Sequence, residues 1–162
     1  KKEVRVQLLD YAPLSYGPDR TRPYYAMIDN AVRAAAGRGV SIKLMVSNWN
    51  TEALELPYLK SLAVLPNVEV KIVTLPEAKQ GFIPYARVIH SKTMEIDGQV
   101  AWVGTSNWLG GYFDNSRNLE VVMRSEAMAK RVGDLHEQLW DGPYAKALEV
   151  TSEYPQPHPG KP

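Results

Sequence analysis

Apolar and polar residues alternate at the start of the chain. Val4, Val6 and Leu8 share one side of residues 4–9, the period of a half-buried strand. Residues 10–23, rich in Pro, Gly, Tyr and Arg, read as a loop. From Tyr25 to Arg38 the period changes. Met27, Ile28, Ala31, Val32 and Ala35 recur at helical spacing, and Gly37 and Gly39 supply a stop. A second strand is predicted over Val40–Val46, followed by a loop at Ser47–Asn50 with Thr51 as a helix cap. A second helix is predicted over Glu52–Leu65, with Pro57 in its first turns, and a third strand over Val68–Val73. Beyond a connector at 75–84, strands over Tyr85–Ile96 and Gln99–Gly104 flank Asp97-Gly98, a favoured two-residue hairpin turn. A strand over Leu119–Met123 and a helix over Ser125–Trp140, capped by Ser125, complete the pattern.

Strand, helix, strand, helix, strand is the pattern of an α/β fold. The expected architecture is a mixed, largely parallel β-sheet flanked by helices. It occupies residues 1–150 as one domain, and residues 151–162, rich in proline, are expected to form a loose tail. The chain has 162 residues, enough for one domain with its own core. No apolar run approaches the roughly 18 residues of a membrane span. The N-terminus enters the first strand without a signal-peptide apolar segment. A net charge of +1 argues against tight nonspecific nucleic-acid binding through surface charge alone. The absence of cysteine excludes a disulfide framework and a thiolate metal site.

The chemistry concentrates between residues 90 and 120. His90 and Lys92, two apart on a predicted strand, point to one face. An imidazole near its ordinary pKa serves as nucleophile or as acid–base, and the ammonium beside it offsets charge on a phosphate oxygen. Across the hairpin, Thr105 and Asn107 offer a hydroxyl and an amide at the strand end, both able to donate to the same phosphate. Glu120, on the next predicted strand, is placed to accept from the far nitrogen of His90 and to fix its tautomer.

This spacing resembles the signature of the phospholipase D superfamily, H-x-K-x4-D-x6-G-S/T-x-N. His90, Lys92, Asp97, Gly104, Thr105 and Asn107 fill every fixed position. With average residue usage, a chance match in a chain this long is about one in 10^5. Glu120 resembles the family's histidine-orienting acid. The wording Ile83-Pro84-Tyr85-Ala86-Arg87-Val88 before the histidine, and Trp108 with Gly111-Tyr112-Phe113 after it, is similar to the animal phospholipase D-like lysosomal 5′ exonucleases, in their C-terminal half. The compartment is not fixed by the residues; the resemblance implies an extracytoplasmic one, secreted, periplasmic or luminal, while the lack of cysteines departs from a luminal setting.

The resemblance implies one phospholipase D-type half-domain, with no metal and no cofactor. It implies a two-step reaction through a phosphohistidine, completed by a second motif from an N-terminal half or a homodimer partner. In a C-terminal half His90 is the acid–base; in a symmetric pair the two copies share both roles. Lys92, Thr105 and Asn107 are the expected phosphate-binding residues. Asp97 and Gly104 are expected to be structural, since Asp-Gly forms the turn without any catalytic role. The substrate is a phosphodiester, with single-stranded nucleic acid favoured and phospholipid the alternative. A third reading is a non-catalytic half-domain that binds phosphate or pairs with another half. Trp108, Tyr112 and Phe113 line a pocket or serve as core and rim packing. Arg87 and Arg117 read as solvated charges, and Tyr11, Arg22 and Trp49 lie on loops bordering the site. His136 is expected at the surface of its helix, and His158 in the tail is expected to be inert.

Overall fold

A computed structural model describes residues 2–15 and 22–161. Part of the loop read over 10–23, together with Lys1 and Pro162, lies outside them. Seven strands form one sheet: β1 (Glu3–Gln7), β2 (Ser41–Ser47), β3 (Val68–Val73), β4 (Lys92–Ile96), β5 (Val100–Gly104), β6 (Glu120–Arg124) and β7 (Ala145–Ala147), in the order β6-β5-β4-β1-β2-β3-β7. The helices are α1 (Met27–Gly37), α2 (Leu56–Ala63), the short α3 (Gly110–Asp114) and α4 (Glu126–Trp140). None is long and apolar enough to cross a membrane.

The mixed α/β sheet with flanking helices is as expected, but its balance is not. Only β1–β2 and β2–β3 run parallel. The pairings of β1 with β4, β4 with β5, β5 with β6 and β3 with β7 are antiparallel. The two parallel pairs are joined through α1 and α2. The antiparallel ones include β4–β5, joined by the tight turn at Asp97 and Gly98, whose φ values of 55° and 67° suit a type I′ hairpin. β7 was not foreseen, because three residues of Ala-Lys-Ala carry no strand pattern.

Strand alternation divides the core into two layers. Val6, Leu8, Leu44 and Val70 face α1 and α2, meeting Ala36, Leu59 and Leu62. Met45 and Val73 face the other way, toward Trp140 of α4, and Ile89 joins them. Leu59 and Leu62 are wholly buried, worth about 1.5–3 kcal/mol each. His136 is buried as well, correcting the expectation of a surface position. It lies on the same stripe of α4 as Val132 and Trp140, and its ring stacks on Trp140 at 5.3 Å.

Three element boundaries differ for physical reasons. The helix expected from Glu52 begins at Leu56, where Pro57 fits the first turn without needing a donor. Thr51 does not cap it. It ends a 3-10 turn over Asn48–Thr51 that Ser47 caps by accepting from the Trp49 N–H. The strand expected from Tyr85 begins only at Lys92, because Tyr85 and Arg87 adopt φ of 57° and 59°, outside any strand geometry.

Residues 151–161 form neither helix nor strand, yet they do not hang free. Thr51 Oγ1 lies 2.8 Å from the Pro155 carbonyl, Gln156 Oε1 accepts from the Ala53 N–H at 3.0 Å, and the Pro159 carbonyl accepts from the Tyr85 N–H at 2.6 Å.

Candidate active site

β4 runs antiparallel to β1, with Gln7 opposite Thr93, so the start of β4 lies at the carboxyl edge of the parallel strands. Lys92 opens β4, Gly104 closes β5 and Glu120 opens β6, and the register aligns all three side by side. Directly paired residues share a face. Lys92 and Glu120 therefore point the same way, with a residue lacking a side chain between them. A Cβ on Gly104 would come within 1.6 Å of Glu120 Oε2 and 2.6 Å of the Trp102 ring. Glycine at 104 is what lets the carboxylate lie back across β5 toward Lys92.

His90 precedes the strand instead of belonging to it, but the two side chains still meet. Lys92 Nζ donates to the His90 carbonyl at 2.8 Å and lies 3.3 Å from both ring nitrogens. Being equidistant, the ammonium is aimed at neither lone pair, which leaves the imidazole available to a substrate. Burial, together with the Lys92 charge, lowers the His90 pKa and favours the neutral ring. Lys92 is itself buried, and burial lowers its pKa while the nearby Asp10 raises it.

Asn107 is buried and fixed at both ends of its amide. Its Oδ1 accepts from the Asp10 N–H at 3.2 Å, and its Nδ2 donates to the Tyr112 hydroxyl at 3.1 Å. Thr105 turns elsewhere: its hydroxyl donates to Asn118 Oδ1 at 2.9 Å and accepts from the Leu119 N–H at 3.1 Å. Glu120 Oε1 accepts from the Ser106 N–H at 3.3 Å instead of from His90. Asp97 stands at the far end of β4. Five strand residues separate it from His90 and Ser91, about 17 Å of chain. Its Oδ1 accepts from the N–H groups of Lys2 and Glu3 at 2.7 and 2.8 Å, tying the hairpin to the start of β1.

A family model described as "Cardiolipin synthase, PLD-like domain" matches residues 22–140. The chain belongs to this phospholipase D-like family. A probable phospholipase D of Caenorhabditis elegans is 31% identical over 91% of this chain and 29% of its own length. The 5′-3′ exonuclease PLD3 of Xenopus laevis is 34% identical over 95% of this chain and 34% of its own length. The chain thus spans about a third of these curated relatives. Among solved structures, NucT from Helicobacter pylori superposes with a TM-score of 0.73 at 16% identity, covering 91% of this chain and 83% of that one. This is a likeness of fold.

The phospholipase D-like edge also contains a buried acidic cluster that the sequence reading missed. Asp10 follows β1 and hydrogen-bonds Glu55, the residue before α2. Burial first, then the charge of Glu55, pushes the Asp10 carboxyl well above the usual range. Glu55 is held by Asn50 Nδ2 at 2.7 Å and by an ion pair with Arg22. Asn50 also clamps the Tyr11 backbone, accepting from its N–H and donating to its carbonyl at 3.0 Å. The position of Asp10, just past the carboxyl end of a parallel strand, was the one signal available.

Of the aromatic candidates, Trp108 packs on the core with its ring 6.2 Å from that of Trp102. Phe113 stacks on Tyr25 at 6.2 Å. Tyr11 is buried, with its hydroxyl bonded to Asp29. Arg117 is exposed, and Arg87 donates from Nε to the Pro76 carbonyl at 2.8 Å.

Proposed function

We propose that this chain supplies one of two half-sites of a phosphodiesterase that works through a phosphohistidine and prefers single-stranded nucleic acid. The observation that carries the reading is the Lys92 ammonium lying 3.3 Å from both nitrogens of the exposed His90 ring, at a sheet edge shared with Asn107 and Glu120. Lys92 and the Asn107 amide hold the non-bridging oxygens, and Thr105 borders them. One histidine attacks phosphorus, forming the P–N bond as the P–O bond breaks. The histidine of the second motif gives its proton to the leaving oxygen. Water then attacks the phosphohistidine, losing its proton to that same second histidine and restoring the first. Glu120, free to lie over Gly104, turns toward His90 and holds its tautomer once substrate is bound. Asp97 serves the hairpin and Gly104 the approach of Glu120.

The second motif comes from another half of a longer chain or from a second copy. Its docking place is the β6 edge. Leu119, Val121 and Val122 are exposed there at 70%, 45% and 61%, with Val121 and Val122 on opposite faces. Activity measured across a dilution series, alongside mass in solution, tests the pairing. Full activity in a single-motif monomer would overturn it.

For the substrate, the exonuclease naming of the Xenopus relative supports nucleic acid. The naming of the Caenorhabditis elegans relative supports the lipid alternative. A short 5′-hydroxyl oligonucleotide is expected to be cleaved in preference to phosphatidylcholine in vesicles, and cleavage of lipid alone would refute the nucleic-acid preference.

A further inference from the structure

A second concavity lies on the same edge of the sheet. It is a cavity of about 320 Å³, within the range of small-ligand sites. Asn48 and Trp49, just past β2, and Thr74, just past β3, form its floor at the carboxyl ends of the parallel strands, where open α/β sheets take their ligands. One wall is residues 82–87, and His90 follows three residues after Arg87, a reach of at most about 11 Å. The other wall is the segment at His158–Lys161, joined to the first by the Tyr85 N–H on the Pro159 carbonyl. Trp49 meets Tyr85 edge-on at 6.4 Å, which ties the floor to the segment that carries the first wall.

Three features give this cavity a chemical preference. Trp49 and Phe82 present aromatic surface. Arg87 and Lys161 bring two cations against one carboxylate, Glu77, a balance that suits an anion. Asn48 is a lining residue whose Oδ1 is buried with no donor, an unmet acceptor. The backbone adds a fourth: Tyr85 and Arg87 both hold left-handed φ without being glycine, strain of the kind that persists where surroundings impose it, often at ligand sites.

We infer that this cavity is a nucleotide subsite, in which Trp49 and Phe82 stack on one nucleobase, Asn48 Oδ1 accepts from the base, and Arg87 with Lys161 meets the adjoining phosphate. The inference rests on the nuclease reading above and specifies how that substrate is held. Every base carries at least one N–H donor on its pairing edge, so a single acceptor with a stacking platform grips without demanding sequence. An acyl chain would leave the Asn48 oxygen unmet and two cations against hydrocarbon.

The test uses the full-length protein and two single-stranded oligonucleotides, one intact and one with abasic residues at the two positions next to the cleaved bond. Stacking of one base implies that the wild type loses about tenfold to a hundredfold in kcat/KM on the abasic strand. In Trp49→Ala and in Phe82→Ala this discrimination shrinks to about threefold or less, a coupling that a merely destabilised variant would not produce. Arg87→Gln, a change on an exposed side chain, raises KM and lowers the slope of log KM against log salt by about one phosphate contact. Equal turnover of the two strands by the wild type, or full discrimination retained in both aromatic variants, would overturn the subsite and leave the nuclease reading standing. Cleavage of phosphatidylcholine vesicles with no cleavage of either strand would overturn both.

Discussion

Strand β2 buries five of its seven residues, and β6 buries none of its five, although both belong to one continuous sheet. The difference follows place in the sheet, interior for β2 and outermost for β6. α1 and α2 cover one face of the parallel strands, and on the other face α4 packs across β4, β5 and β1 and ends with Trp140 against Met45 of β2 and Val73 of β3, so the middle of the sheet is covered on both sides. The antiparallel strands β4, β5 and β6 end at an uncovered edge. The chemical groups sit on the antiparallel side, at the seam. Lys92, Gly104 and Glu120 begin or end the antiparallel strands and His90 lies two residues before β4, while their support, Asp10, Asn50 and Glu55, comes from the loops after β1 and β2. A rigid, two-sided region holds the acids and amide that would be costly to place in a mobile one. The open region keeps the histidine accessible.

The sharpest way to break this division is to remove one residue from each side. His90→Ala is expected to cost at least 10^2-fold in turnover of the assembled enzyme, about 3 kcal/mol of barrier, with an unchanged denaturation midpoint. Leu59→Ala, a wholly buried contact of the parallel side, is expected to cost about 2–5 kcal/mol of stability while the folded fraction keeps its rate. Urea titration beside single-substrate kinetics reads both. Comparable stability losses in the two variants would erase the distinction, and near-normal turnover in His90→Ala would remove the histidine from the chemistry.

A smaller effect probes the packed side through pH. Burial lowers His136 to about 4, against an unfolded value near 6.5. Below that value the unfolded chain takes up a proton that the folded protein refuses, so stability falls as pH drops from about 6.5 toward 4 and then levels off. Between pH 7 and pH 5 the loss from this one residue is about 2 kcal/mol. His136→Phe keeps the stacking on Trp140 and is expected to remove that share of the acid sensitivity. Denaturant midpoints at pH 7 and pH 5 measure it, and an unaltered pH dependence in the variant would show that His136 is protonated elsewhere in the range.

His136 also shows what sequence can and cannot reveal. Its spacing from Val132 and Trp140 places it on the buried stripe of α4, whereas the lack of a partner motif argues for the surface. The Lys92–Gly104–Glu120 row was legible because a motif fixes spacing and strands fix register. The Asp10–Glu55 pair was not, because 45 positions separate its members and nothing local marks two carboxyls that the fold brings together. The parallel count was overestimated for a related reason. Alternating helices and strands imply crossovers only while helices intervene, and after β3 the chain reaches β4 through a helix-free connector and β5 through a three-residue turn, Asp97–Gln99. His90 left its expected strand because Tyr85 and Arg87 turn left-handed, which no apolar pattern records.

The smallest expected effect concerns the motif residue farthest from the seam. Asp97 shares the signature with His90 and Lys92, yet the length of β4 keeps its carboxylate from any phosphate they hold. Its work is local: φ of 55° at the hairpin and an oxygen that accepts two N–H groups at the head of β1. Asparagine tolerates the same backbone and retains that oxygen, losing only the charge. Asp97→Asn is therefore expected to lower stability by about 1 kcal/mol or less and to leave the turnover rate within about twofold. The measurement is a thermal melt paired with a rate on the same oligonucleotide. A hundredfold loss of rate at an unchanged melting temperature would place Asp97 in the chemistry and extend the reactive region along the whole of β4. A melt lowered at constant rate would confine the chemistry to the edge where the two halves of the sheet meet.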